Sequence, residues 1–278
     1  MKKSFLASIL VTTMLSTTAM ADVALHGQVE ESVSTTNGVS DLVGDNFVGV
    51  TVNEDLGNGM TAFGKIEFTV DGDSSSNADA VTNREVYAGI DFGAVSVSAG
   101  KMPNLRKSMA QPGYFKGNGL FVTGQDRADD TVKVEAEFGK VKVAATTVLD
   151  GTTNADTVGE TRELGASIDL GIVSLSAVQS KAGSADATVI YGAKANVSGV
   201  KLAVAYEPDA TNVTTTALAS YDIGNNTIMV GNKFVNGADD TMILEGVHNF
   251  SKNVYTFANY KKPENGDATT MIGVGIKF

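Results

Sequence analysis

No cysteine occurs among the 278 residues, and no tryptophan. The missing thiols exclude a disulfide framework, a thiolate nucleophile, and cysteine-ligated zinc or iron–sulfur centres. There are only 2 histidines and 4 prolines, which leaves little for a histidine-rich metal site or for Pro-rich linkers. Positive charge is also scarce: 21 Lys and Arg stand against 32 Asp and Glu, a formal net charge of -11. That balance argues against a nucleic-acid partner, because a phosphate-backbone reader needs a basic patch. Most telling is the absence, past the first twenty residues, of any apolar run long enough for a spanning helix, which takes about 20 residues. Yet 42% of the residues are hydrophobic, and 30 are glycine.

The first residues have the form of an export signal. Lys2 and Lys3 give a positive start, Phe5 to Leu15 a short apolar segment, and Ala19-Met20-Ala21 a small-residue cleavage site before Asp22. Residues 1–21 are therefore expected to be a cleaved signal peptide and 22–278 a single domain working outside the cytoplasm, since no linker or composition shift divides that stretch.

From Asp22 onward the apolar pattern has a period of two. In Met60–Val70, Ala62, Gly64, Ile66, Phe68 and Val70 share one face, opposite Phe63, Lys65, Glu67 and Thr69. In 131–138, Val132, Val134, Ala136 and Phe138 oppose Lys133, Glu135 and Glu137, and 140–145, 161–170, 199–206 and 271–278 repeat the scheme. Alternation of this kind, rich in Val, Thr and Ile, reads as strand. Short turns bearing Gly, Asn or Ser follow Leu56, Phe92, Phe138, Leu170, Val197, Ile223 and Phe250, and longer polar connections such as 71–83, 150–160 and 207–214 alternate with them. The repeating unit is a hairpin. Counting gives about sixteen strands, from 22–34, 45–55 and 60–70 to 240–250, 253–262 and 268–278. An even number of strands of about ten residues, with tight turns at one end and long loops at the other, predicts an all-β, up-and-down antiparallel transmembrane barrel. One face carries the charges and suits water; the other is Val, Leu, Ile, Ala and Phe with almost no charge at strand centres, as lipid requires. Phe92, Phe138, Tyr221, Phe250 and Phe278 sit beside the tight turns, where an interfacial girdle belongs.

The opening DVALHGQVEES (22–32), the closing MIGVGIKF (271–278) ending in Phe278, and the middle stretch YAGIDFGAVSVSAGK (87–101) followed by a long loop and DRADDTVKVEAEFGKVKVAA (126–145) together resemble the general diffusion porins of Gram-negative outer membranes. The resemblance implies an outer-membrane location, a homotrimer and a third loop folded into the barrel. It also implies that Phe278 ends the signal read by the barrel-assembly machinery. The partners expected are outer-membrane lipid and small ions and solutes passing by diffusion; no cofactor or metal is expected. The chain is somewhat short for the family.

The candidate third loop, Met102–Asp126, contains Leu105, Met109, Tyr114, Phe115, Leu120 and Phe121, which favour folding against the wall. Lys101, Arg106, Lys107 and Lys116 are the charges from Lys101 to Gln125, so the constriction is expected to be locally basic and to favour anions. By parity Lys65, Glu67, Glu85, Arg127, Lys133, Glu135, Lys142 and Glu163 line the wall, Arg84 and Arg162 fall on the outward parity but at loop ends, where parity does not fix the side, and Glu207 falls in an outer loop. An enzyme is not expected. A Ser/His/Asp site needs a histidine beside its nucleophile, whereas His26 lies in the first strand and His248 beside a tight turn. GNG at 117–119 lacks the strand–helix setting of a phosphate loop, and the acidic pairs Asp129/Asp130 and Asp239/Asp240 lack EF-hand spacing. A structural or adhesive barrel with a filled interior remains the alternative.

Overall fold

The computed structural model describes residues 21–70, 81–116, 119–120, 126–149, 161–208 and 213–278; the expected signal peptide lies outside them, apart from Ala21. The strands are β1 (Asp22–Thr36), β2 (Val39–Gly44), β3 (Phe47–Gly57), β4 (Met60–Val70), β5 (Val81–Asp91), β6 (Val95–Pro103), β7 (Tyr114–Phe115), β8 (Gly119–Leu120), β9 (Arg127–Phe138), β10 (Val141–Val148), β11 (Thr161–Asp169), β12 (Val173–Ala182), β13 (Thr188–Val197), β14 (Val200–Glu207), β15 (Thr214–Ile223), β16 (Asn226–Val235), β17 (Thr241–Asn249), β18 (Val254–Pro263) and β19 (Thr269–Lys277). Among the described residues all but β7 and β8 join one antiparallel sheet. β2 and β3 both pair with β1, along Glu31–Thr36 and Asp22–Gln28 respectively, so they are two lengths of one barrel strand interrupted at Asp45 and Asn46. Counted around the wall, the barrel has sixteen strands. It closes where Gln28–Thr36 pair with Thr269–Lys277, and Phe278 extends that seam by exchanging backbone hydrogen bonds of 3.0 and 3.1 Å with Gly27.

The period of two becomes two surfaces. Leu164, Leu175, Val204, Leu244 and Ile272 stand exposed on the outer wall, Ile272 at 66%. The expected girdle is there: Phe92, Phe138, Tyr221, Phe250 and Phe278 are all exposed beside the tight turns. Toward the opposite end Tyr191 and Tyr206 stack 6.5 Å apart across β13 and β14.

The tight turns share a local mechanism. In three of them an aspartate carboxylate accepts the amide two residues on: Asp55 from Gly57 at 2.8 Å, Asp91 from Gly93 at 2.6 Å and Asp169 from Gly171 at 2.8 Å. The glycine sits at positive φ, 78°, 93° and 94° in turn, which a side chain resists. The turn after Phe250 works differently, with Ser251 Oγ accepting from Asn253 N and Val254 N at 3.1 Å.

A charge on the outer wall faces hydrocarbon, so Val204→Lys is expected to cost about 2–4 kcal/mol of stability in a bilayer. On the inner wall Ser174→Glu, opposite Lys194, is expected to cost less than about 1 kcal/mol. Denaturant titration of refolded protein in lipid vesicles measures both.

Candidate functional site

The stretch after β6 does not stand clear of the barrel. A π-helical turn, Arg106–Ala110, leads to the small β7–β8 hairpin. Leu105 and Ala110, with Met109, pack on Ala144, Val178, Ile190 and Ala205, while Phe115 packs on Ala203, Leu218 and Ile243. Each of these wall residues lies on the inner face, alternating along its strand with an exposed neighbour such as Tyr191, Val204 or Leu244. Glycine makes room for the seat: a Cβ at Gly231 would meet the Phe115 ring at 2.8 Å, and one at Gly165 would meet Met109 Sδ at 2.5 Å. Carboxylates clasp the stretch at both ends. Glu163 accepts the Leu105 amide at 2.6 Å. Glu245, 1% exposed, accepts the Lys116 amide at 2.7 Å, and Asn259 donates to the Lys116 carbonyl at 2.5 Å.

The wall of β3 to β9 carries a ladder of charge. Lys65, Glu67, Glu85 and Arg127, expected from parity, are brought together there. Glu67 and Glu85 sit directly opposite each other on β4 and β5, an arrangement that like charges disfavour. Lys65 bridges them, 2.8 Å from Glu67 and 2.9 Å from Glu85. Arg127 holds Glu85 at 2.9 Å, and His26 meets Glu67 at 3.1 Å. Arg84 is turned away from the outward side that parity assigned to it. The β4–β5 register slips between Glu67 and Phe68, leaving Arg84 as the extra residue of a bulge. So placed, it reaches Glu67 at 2.8 Å and Asp45 at 2.6 Å, and lies 4.4 Å above the Phe47 ring. Asp45 itself comes from the break between β2 and β3. Both ends of this ion pair therefore come from interruptions of the ladder, which a strict period of two does not reveal.

The cations of the basic loop are met by acids, Glu207 and Glu30 from the wall and Asp126 from the loop's own end, contrary to the expected surplus of positive charge. Arg106 is ion-paired with Glu207 and reaches Thr188 at 3.4 Å. Glu207 ends β14, is buried, and faces inward; it is not a loop residue. Lys116 lies 3.3 Å from Glu30, 3.1 Å from Tyr255 Oη and 4.3 Å above the Tyr255 ring. Tyr255 in turn donates to Glu30. Lys107 is 3.3 Å from Asp126. Burial, then Arg127 and to a lesser degree Arg84, push the Lys107 ammonium below the ordinary lysine value, against Asp126, which raises it. For Tyr114 burial, and after it the charge of Asp45, raise the phenol above its usual range. Lys107 and Tyr114 thus stand within electrostatic reach of the ladder.

Four expected site residues, Lys101, Lys133, Glu135 and Lys142, lie apart from this centre, and a fifth, Glu163, takes another role. Lys101 belongs to β6, opposite outward-facing Val86, and pairs with Asp129 at 3.1 Å. Lys133 and Lys142 hold Glu135 at 3.5 and 2.7 Å, on the half of β9 and β10 nearer their tight turn. Glu163 is buried under the loop as a clasp. Of the acidic pairs, Asp239 accepts from Asn265 at 2.6 Å and Asp240 from the Val235 amide at 3.1 Å.

A closed sixteen-stranded antiparallel barrel is the architecture of porins. The family model for Gram-negative porins matches residues 7–268, and the chain belongs to that family. No curated protein sequence matches it. Among solved structures it is similar to a loop-deletion mutant of OmpT, an outer membrane protein of Vibrio cholerae, with TM-score 0.76 and 15% identity over 93% of this chain and 99% of that one. It is also similar to a multiply substituted variant of the Rh. blastica porin, with TM-score 0.73 and 15% identity over 92% of this chain and 100% of that one. At such identity these likenesses show the fold.

The seat makes a testable demand. Gly231→Val is expected to dislodge Phe115 and expose the peptide bond after Lys116 to trypsin, while the parent protein, folded in the same detergent, resists cleavage there.

Proposed function

We propose that the protein is an open, water-filled channel for passive diffusion of ions and small hydrophilic solutes, constricted by the 102–126 stretch and only weakly selective for charge. The observation that carries this reading is the pairing of every loop cation near the ladder with an acid. Arg106, Lys107 and Lys116 meet Glu207, Asp126 and Glu30, while Lys65, Arg84 and Arg127 meet Glu67, Glu85 and Asp45. A passage whose fixed charges cancel locally leaves size as the main filter, because pore selectivity follows from diameter and from uncompensated charge. Sixteen strands enclose enough width for an aqueous lumen. On this reading Lys107 and Tyr114 on one side and the ladder on the other line the narrowest point, while Lys133, Glu135 and Lys142 line a wider section nearer the tight turns.

The same reading includes removal of residues 1–21 on export, tight turns facing the periplasm, and recognition of the Phe278 end by the assembly machinery. It also includes a homotrimer, supported by the Val- and Ala-rich outer stripes of Val95, Val97, Ala99 and of Val141, Val143, Ala145. The reading is of a channel and not an enzyme: His26 is held by Glu67 within the charge ladder and His248 by Asn226 beside a tight turn.

Liposome swelling with sugars of graded size is expected to show a cutoff, and reversal potentials in a salt gradient to lie near zero. Glu207→Gln, which strips Arg106 of its acid, is expected to shift permeability toward anions by a few-fold; Arg84→Gln shifts it toward cations. A barrel impermeable to the smallest sugar overturns the reading in favour of a filled structural barrel.

A further inference from the structure

The loop is seated on the wall at two places, Leu105 to Ala110 against β10 to β14 and Phe115 against β14 to β17. The chain between them, 111–114, passes from one seat to the other. On its tight-turn side a cleft of about 380 Å³ remains between loop and wall, a size within the range of small-molecule sites. Pro112, Gly113 and Tyr114 form its roof. Gln111 Nε2 holds the roof by donating to the Gly113 carbonyl at 2.9 Å. A Cβ at Gly113 would meet Leu218 Cδ1 at 2.6 Å, so the roof comes down on the wall there.

The strand register arranges the other side of the cleft. Lys194 on β13 stands opposite Ala203, and Ala203 opposite Leu218. The next row toward the tight turns is Lys201, Ser220 and Met229. Ala203, Leu218 and Met229 make an apolar floor, and polar groups stand at its edges. Lys201 is held by Asp222 at 2.6 Å, as Lys133 and Lys142 are held by Glu135. Lys194 has no such acid: exposed to the lumen, it enters no ion pair or side-chain hydrogen bond among the described residues. Asp169, beyond Ser174, accepts instead from the Gly171 amide and the Ser174 hydroxyl. Ser220 is only 8% exposed yet lines the cleft, and its hydroxyl too has no partner among the described residues. A buried hydroxyl left without a partner is costly, and a ligand that brings an acceptor removes that cost.

We propose that this cleft binds a small organic monocarboxylate with an apolar body. The Lys194 ammonium meets the carboxylate, the Ser220 hydroxyl donates to it, and Leu218 and Met229 below and Pro112 above cover the body. Lys194 and Ser220 stand two strands apart, about 10 Å, a gap that the lysine side chain and one carboxylate bridge. One unpaired cation matches a single negative charge. A phosphate dianion leaves part of its charge unmatched, and an anion without an apolar body leaves the floor uncovered. The inference rests on the porin reading and deepens it: a passage balanced in charge at its constriction retains one class of solute on the tight-turn side of the loop.

The test uses the mature protein refolded in neutral detergent and titrated with para-fluorobenzoate, binding being read from the fluorine resonance of the ligand. Lys194→Gln is expected to weaken binding roughly tenfold and Ser220→Ala a few-fold. Lys194→Arg, which keeps the charge, and Lys252→Gln, on the turn after Phe250, are expected to retain it. The uncharged para-fluorobenzyl alcohol is expected to bind parent and Lys194→Gln alike, and acetate and inorganic phosphate to compete poorly. Equal binding of para-fluorobenzoate by parent and Lys194→Gln overturns the site, as does displacement by acetate or phosphate as effective as by benzoate. Conductance of the parent in a phosphatidylcholine bilayer alongside that result leaves the channel reading standing. A parent that binds as expected and does not conduct overturns the channel reading and leaves the site.

Discussion

In hydrocarbon no water is available to satisfy a backbone amide or carbonyl, and a sheet can meet that condition only by having no edge. The seam between β1 and β19 meets it here, and most other features follow. Closure puts one side of every strand against lipid and the other against the lumen, so the period of two becomes a radial sorting of side chains. It fixes the number of strands, hence the width, and width leaves a space that the chain partly fills with its own third loop. Leu105, Met109 and Phe115 lie against the inner face, and they are met there by apolar residues on a wall that is elsewhere polar. Val178, Ile190, Leu218 and Ile243 are those counterparts.

The centre of the molecule is arranged by faults in this regular ladder. A bulge turns Arg84 inward and a break between β2 and β3 presents Asp45 to it. A third slip, between Gly100 and Met102, occurs where the chain leaves β6. Gly100 is held at φ 132° there, and a Cβ would overlap the Val86 carbonyl. Regular pairing builds the wall; its departures aim the side chains that give the wall a local chemistry. Buried charge of this density is tolerated because each carboxylate of the ladder is bridged, whereas one partner lost would leave a desolvated charge uncompensated.

Alternation, turn residues and strand length are local signals, and they made the barrel, its strand count and its girdle legible: Phe92, Phe138 and Phe250 stand where a spacing argument puts them. Lys65, Glu67, Glu85 and Arg127 were also legible, since parity within an unbroken strand assigns a side. Arg84 was not, because one extra residue inverts parity; its place at a loop end marked only that parity does not fix its side there. The partners of the loop were harder still. Glu207 and Glu30 meet Arg106 and Lys116 across 101 and 86 positions of chain, and such pairings are set by curvature of the whole sheet. One signal was available: Val178 in VSLSAVQS and Ile190 in TVIYGA put apolar residues on the face that elsewhere is polar. Strands apolar on both faces mark where something apolar must sit inside.

The hydrogen bonds between Gly27 and Phe278 join nearly the first and last residues of the barrel. Its decisive contact is therefore also among the most distant in the chain, and no shorter stretch of the sequence has that pairing available. Until β19 has been made and delivered, β1 exposes an unmatched row of donors and acceptors, an open template for other chains. Strand order along the sequence thus imposes an order in time. The wall becomes stable as a whole when β19 meets β1.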